Sequence, residues 1–186
     1  TGSMRIKAIV DKGRDKGALL IQERSIVDKA SGALLAPLEH TTFCRGAGGF
    51  GKGDAAPPPP PAVPEGEPDA SCDFPTLPQA ALIYRLCADR NPLHADPAVA
   101  RAAGFLRPIL HGLCSYGVAG HAILKTWCGY DPAKLTGLSL RFSAPVYPGE
   151  TIRTEMWDRG SSILFRSRAL ERDVIVLNNG VATVAR

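Results

Sequence analysis

No apolar run in the 186 residues approaches the ~18 that a membrane-spanning helix requires, which excludes a helical integral membrane protein. Aromatic residues make up only 6% of the chain, and Lys and Arg nowhere form a dense run. The net charge of +4 is dispersed, and neither a nucleic-acid-binding tail nor a basic stacking surface is expected. The five cysteines (Cys44, Cys72, Cys87, Cys114 and Cys128) contain no Cys-x-x-Cys pair. The four histidines do not fall at ligand spacing from them, so no metal is expected. An odd thiol count and no charged-then-apolar leader point to reduced cysteines and a cytoplasmic location.

What is present is an ordinary globular composition, 45% hydrophobic and 22% charged, with its glycine and proline concentrated in one stretch. Gly46, Gly48, Gly49, Gly51 and Gly53 lead into Pro57 to Pro61, and Pro64, Pro68, Pro75 and Pro78 follow. Flexible glycines and a polyproline run predict a spacer, drawn here over residues 51–78. It divides a β-rich segment, 1–50, from a larger α+β domain, 79–186. In the first segment, runs at 18–27 and 34–43 around Asp28-Lys29-Ala30-Ser31-Gly32 predict a hairpin too small to close a core alone.

The larger domain shows three helical stretches. Gln79 to Cys87 is short, and Pro97 to Ala103 opens on proline and stops at Gly104. Gly112 to Trp127 is the longest, with Leu113, Tyr116, Gly120, Ile123, Leu124 and Trp127 at three- and four-residue steps. Only strands follow, at 138–144, 151–158, 162–171 and 173–185, separated by turn residues. One long helix followed by an antiparallel meander is an α+β arrangement.

Polar chemistry concentrates in Tyr84-Arg85-Leu86-Cys87-Ala88-Asp89-Arg90-Asn91-Pro92-Leu93-His94 and in Arg107-Pro108-Ile109-Leu110-His111-Gly112. Pro92 forbids one continuous helix, so the chain turns and can gather Asp89, Asn91 and His94 around one point. A carboxylate, an amide and an imidazole can hold a water between two proton-transfer groups. The same residues also suit a plain turn with its own side-chain hydrogen bonds. If Gly112 opens the long helix, its N–H stands at the positive end of the dipole, where a developing oxyanion is stabilised.

Together YRLCADRNPLH and RPILHGLC resemble the signature of the hydratase-2 (MaoC-like) family, as found in the hydratase part of type 2 multifunctional enzymes. The resemblance covers residues 79–186 closely, and residues 13–50 resemble the last strands of the family's noncatalytic first half. It implies a hot-dog fold, an antiparallel sheet wrapped round one long helix, preceded by a partial hot-dog remnant. It implies a lyase of fatty acid metabolism: reversible (R)-specific hydration of trans-2-enoyl-CoA to (3R)-3-hydroxyacyl-CoA. Asp89 and His94 would be the acid/base pair holding the water, Asn91 would orient it, and the Gly112 N–H would receive the thioester oxygen. No cofactor is implied, because CoA is part of the substrate. Two other readings keep the fold: a dehydratase of another short or branched acyl-CoA, and a noncatalytic CoA-thioester binder. Where the family has Ser-Gly before the aspartate, this chain has Cys87-Ala88, and loss of glycine at that turn is expected to distort it. A shortened first half leaves open sheet edges, so pairing as a homodimer is expected.

Overall fold

Alternating apolar residues in the first fifty positions pair into more strands than a hairpin. The computed structural model describes residues 1–87 and 89–185 and divides into two units, Thr1–Pro59 and Pro60–Arg186. In the first unit β1 (Gly2–Asp11), β2 (Ala18–Val27) and β3 (Leu34–Cys44) form an antiparallel sheet in the order β1-β2-β3. The register sets Met4, Ile6 and Ile9 of β1, Leu20 and Ile26 of β2 and Leu38 of β3 on one face. Met4, Ile6 and Leu38 are exposed there. The other face carries the Arg5–Glu23 and Lys7–Glu39 ion pairs.

The glycines that composition reads as flexible are docked on this sheet. The Asp11 carboxylate accepts hydrogen bonds from the backbone N–H of Gly13, Gly49 and Gly51 at 2.8, 2.7 and 2.8 Å. Those amides, Gly49 foremost, hold the Asp11 carboxyl below its usual range. Asp54 in turn accepts from the Ile9 N–H at 2.8 Å.

The second unit runs β4 (Ala70–Pro75), α1 (Ala80–Tyr84), α2 (Pro97–Ala102), α3 (Gly112–Trp127), β5 (Leu135–Phe142), β6 (Thr151–Asp158), β7 (Ser162–Ala169) and β8 (Val174–Val184). Its five strands pair antiparallel in the order β4-β6-β7-β8-β5. β4 corrects the expected 51–78 spacer, because six of those residues are an edge strand. Proline is tolerated there at the strand's end, where no further partner is needed.

Alternation along β6 and β7 buries Ile152, Thr154 and Met156, then Ile163, Phe165, Ser167 and Ala169, with Trp157 buried as well. Against that face lies α3, with Ala119, Ala122 and Ile123 fully buried in one cluster with them and with Val176, Leu177 and Ala182. Small residues on α3 permit the close approach. A Cβ at Gly120 would stand 3.2 Å from the Leu138 side chain. Burying one Ile of this kind contributes about 1.5–3 kcal/mol. Thr154 and Ser167, a polar pair on this buried face, satisfy each other at 3.0 Å. A sheet packed on one long helix is the α+β arrangement expected. Among the described residues no helix is long and apolar enough to cross a membrane.

Candidate active site

Three short segments between β4 and α3 converge at the start of α3. After the 3-10 turn Arg85–Cys87 comes Ala88, which lies outside the described residues, so the expectation attached to it has no structural counterpart. Asp89 is exposed, and its Oδ1 accepts from the Asn91 N–H at 3.1 Å. Asn91 caps the next 3-10 turn, Pro92–His94, its Oδ1 accepting from the Leu93 N–H at 3.1 Å. Pro92 stands where a turn loses no hydrogen bond. Asp96 then caps α2 through the Ala98 N–H at 2.7 Å. These tight local caps bring the chain back on itself within a few residues.

The chain between α2 and α3 supplies the second wall. His94, 8% exposed, lies 2.8 Å through Nδ1 from the Ile109 carbonyl oxygen. A carbonyl only accepts, so Nδ1 carries the proton and Nε2 is left as a lone-pair acceptor. His111, 1% exposed, stacks on the His94 ring at 3.7 Å and 25°. Its Nε2 donates to the Asp89 backbone oxygen at 3.1 Å, while its Nδ1 is buried without a protein partner. Tyr84 closes the other side of His111 at 4.6 Å. Burial pushes the His111 pKa down and the Tyr84 phenol up, so both stay neutral near pH 7.

The outcome is a cluster in which one side-chain donor atom from each of Asp89, His94 and His111 lies within 4.8 Å of the others. A carboxylate and an imidazole with one ring nitrogen unprotonated stand together, which fits proton transfer through a held water. Asn91 is next to this cluster in sequence, but its side-chain oxygen serves its own turn. Gly112 follows His111 as the first residue of α3, so its N–H is among the first-turn amides that no helix satisfies internally. Its φ is not left-handed. A Cβ there would stand 3.1 Å from the ring of Phe142, a close contact that this half-exposed side chain would have to ease.

His111 is the member that reading the residues left out. An isolated histidine beside a helix start carries no spacing signal. Its burial and its bond to Asp89 arise only once two segments 22 residues apart meet.

Comparison with known proteins adds four findings. The profile of the family described as MaoC like domain matches residues 61–180. 3-hydroxyacyl-thioester dehydratase Y of Mycobacterium tuberculosis is 47% identical over 150 residues, 80% of this chain and 52% of the relative. Probable enoyl-CoA hydratase 2 of Dictyostelium discoideum is 44% identical over 184 residues, 97% of this chain and 62% of the relative. The crystal structure of a MaoC-like dehydratase from Phytophthora capsici superposes with a TM-score of 0.93 at 37% identity, covering 100% of this chain and 62% of that one. The chain thus spans between half and two thirds of the length of these relatives.

Proposed function

The chain belongs to the MaoC-like family, and on that premise we propose that it is a hydro-lyase, an enoyl-CoA hydratase 2. Its reaction is the reversible, (R)-specific addition of water to a trans-2-enoyl-CoA, giving the (3R)-3-hydroxyacyl-CoA. The observation that carries this reading is the Asp89–His94–His111 cluster at the N-terminus of α3. In the proposed step Asp89 and His94 hold one water. One of them takes its proton as the oxygen bonds to C3, and the C2–C3 π electrons move onto the thioester as an enolate. The Gly112 N–H donates to that oxyanion, and the proton taken from the water is then delivered to C2, so that both acid/base groups end as they began. One oxyanion donor contributes about 10²–10³ in rate. The step draws on no metal or redox cofactor, and CoA enters as part of the substrate.

Run backwards, the same step is dehydration, and the relative named a 3-hydroxyacyl-thioester dehydratase favours that as the second reading, with a different acyl group. The partner proposed is a second copy of the chain, since the exposed Met4, Ile6 and Leu38 of the first unit would gain a cover. All five cysteines are free thiols, which suits a reducing compartment, with the cytoplasm proposed.

The test follows the loss of enoyl-thioester absorbance with trans-2-enoyl-CoAs from short to long chain, with chiral analysis of the product. Asp89→Asn and His94→Gln, each folded by circular dichroism, should turn over about 10²–10⁴-fold more slowly. Near-normal rates in either variant remove that residue from the mechanism. A folded wild type that binds the thioester without turnover leaves a CoA-thioester binder instead.

A further inference from the structure

A half-buried ion pair is tied to the site by an unbroken set of bonds. Glu150, 4% exposed, begins the approach to β6, and Arg172 sits on the 3-10 turn Leu170–Arg172 between β7 and β8. The guanidinium forks onto both carboxylate oxygens, Nε to Oε1 and Nη2 to Oε2 at 2.9 Å. The same Nη2 donates to the Pro145 carbonyl at 2.6 Å, and Glu150 Oε2 accepts from the Tyr147 N–H at 2.8 Å. One pair of charges therefore grips both ends of the turn at 145–150. The Tyr147 ring is clamped between two guanidiniums, Arg172 at 4.9 Å and Arg107 at 5.1 Å.

That turn holds the segment that holds His94. The Val146 carbonyl accepts from the Leu110 N–H at 2.7 Å, and the Pro148 carbonyl accepts from Arg107 Nη1 at 3.2 Å. Leu110 is one residue beyond Ile109, whose carbonyl receives the His94 Nδ1–H at 2.8 Å. Two such fixings on either side of Ile109 leave its carbonyl little freedom to turn.

We propose that Glu150 and Arg172 are positioning residues: through Val146 and Leu110 they fix the Ile109 carbonyl, and so set the orientation and tautomer of the His94 ring. The proposal rests on reading His94 as an acid/base residue. Ion pairs, exposed or buried, add little net stability, whereas a bidentate fork fixes direction. Fixed direction is what a histidine needs if only Nε2 is to be free toward a water.

The test uses the full chain with ¹⁵N-labelled histidine, His94 being assigned by comparison with His94→Gln. In the wild type the His94 ring should report the Nδ1–H tautomer. Glu150→Gln keeps the size of the side chain and removes its charge. It should mix the two tautomers and shift the pH profile of kcat, with kcat reduced about 10- to 100-fold and KM changed less than about twofold. Arg172→Lys, which keeps the charge without the fork, should fall between the two. A folded Glu150→Gln with an unchanged tautomer signal and pH profile overturns the proposal. If Glu150→Gln does not fold, Arg172→Lys carries the same readout, and an unchanged signal there overturns it. A wild type inactive on every enoyl-CoA would remove the hydratase reading, while the tautomer measurement would still decide this one.

Discussion

Gly180 of β8 pairs directly with Phe165 of β7, and the phenyl ring lies over the glycine. A Cβ built at Gly180 meets three ring carbons, Cδ1, Cδ2 and Cε1, each at 2.6 Å. Ordinary carbon contacts lie at about 3.5–4.0 Å, so Gly180→Ala obliges the ring to retreat by about 1 Å. Phe165 is fully buried in the cluster with Ile123 of α3, so no open space receives it. Overpacking of this kind costs about 1–3 kcal/mol, more than the ~0.8 kcal/mol that one buried methyl returns. In a unit of roughly 125 residues each kcal/mol lowers the melting temperature by about 4 °C, which gives a drop of about 4–12 °C. Thermal denaturation followed by circular dichroism measures it. A second pair of melts, with and without Gly180→Ala in a Phe165→Leu background, isolates the contact. The alanine should cost less than half as much there. An equal cost in both backgrounds, or a drop under about 1 °C in the wild-type background, would refute the steric reasoning.

Two further outcomes follow from the site. Gly112→Ala places a methyl 3.1 Å from a half-exposed Phe142 ring that can swing aside, so the melting temperature should move by less than about 4 °C. The same methyl crowds the proposed oxyanion donor, and kcat/KM should fall at least about tenfold; unchanged turnover would displace Gly112 from that role. His111 is held neutral by burial, with its pKa below the ordinary ~6.5. Below about pH 6.5 the unfolded chain binds a proton that the folded chain refuses, so stability falls with pH until the folded pKa is reached. Melting temperatures from pH 7 to 5 should therefore decline more steeply in the wild type than in His111→Gln, and parallel curves would deny the histidine that part.

Where a segment's structure is set by its own residues, the sequence reads well. The apolar steps from Leu113 to Trp127 and the small residues between them mark α3 with its observed limits, Gly112–Trp127. β6 coincides with its reading, 151–158, because turn residues on both sides bound it locally. β1 was not legible as a strand: its first residues carry no β-branched signal, and pairing with β2 decides it. β4 is six residues ending in Pro75, and only the register against β6 makes Ala70–Pro75 a strand. The site divides in the same way. Asp89 and His94 sit in one local motif and could be picked out. The part played by His111 depends on a backbone carbonyl 22 positions away, and that of Ile109 on its own backbone, which no side-chain pattern encodes.

The order β4-β6-β7-β8-β5 also says when the cluster can come into being during folding. β6 and β7 meet across 13 residues at Thr154 and Ser167, whereas β5 reaches β8 across 47 and β4 reaches β6 across 80. Closing the longer loops costs more chain entropy and waits on the shorter ones, so the β6–β8 meander is the natural nucleus. The segment between β4 and α3, which carries Asp89, His94 and His111, has no sheet of its own and takes shape only when its two ends are docked. Its amides are then expected to be the least protected against hydrogen exchange in the second unit, and its geometry the first to be lost as the unit loosens.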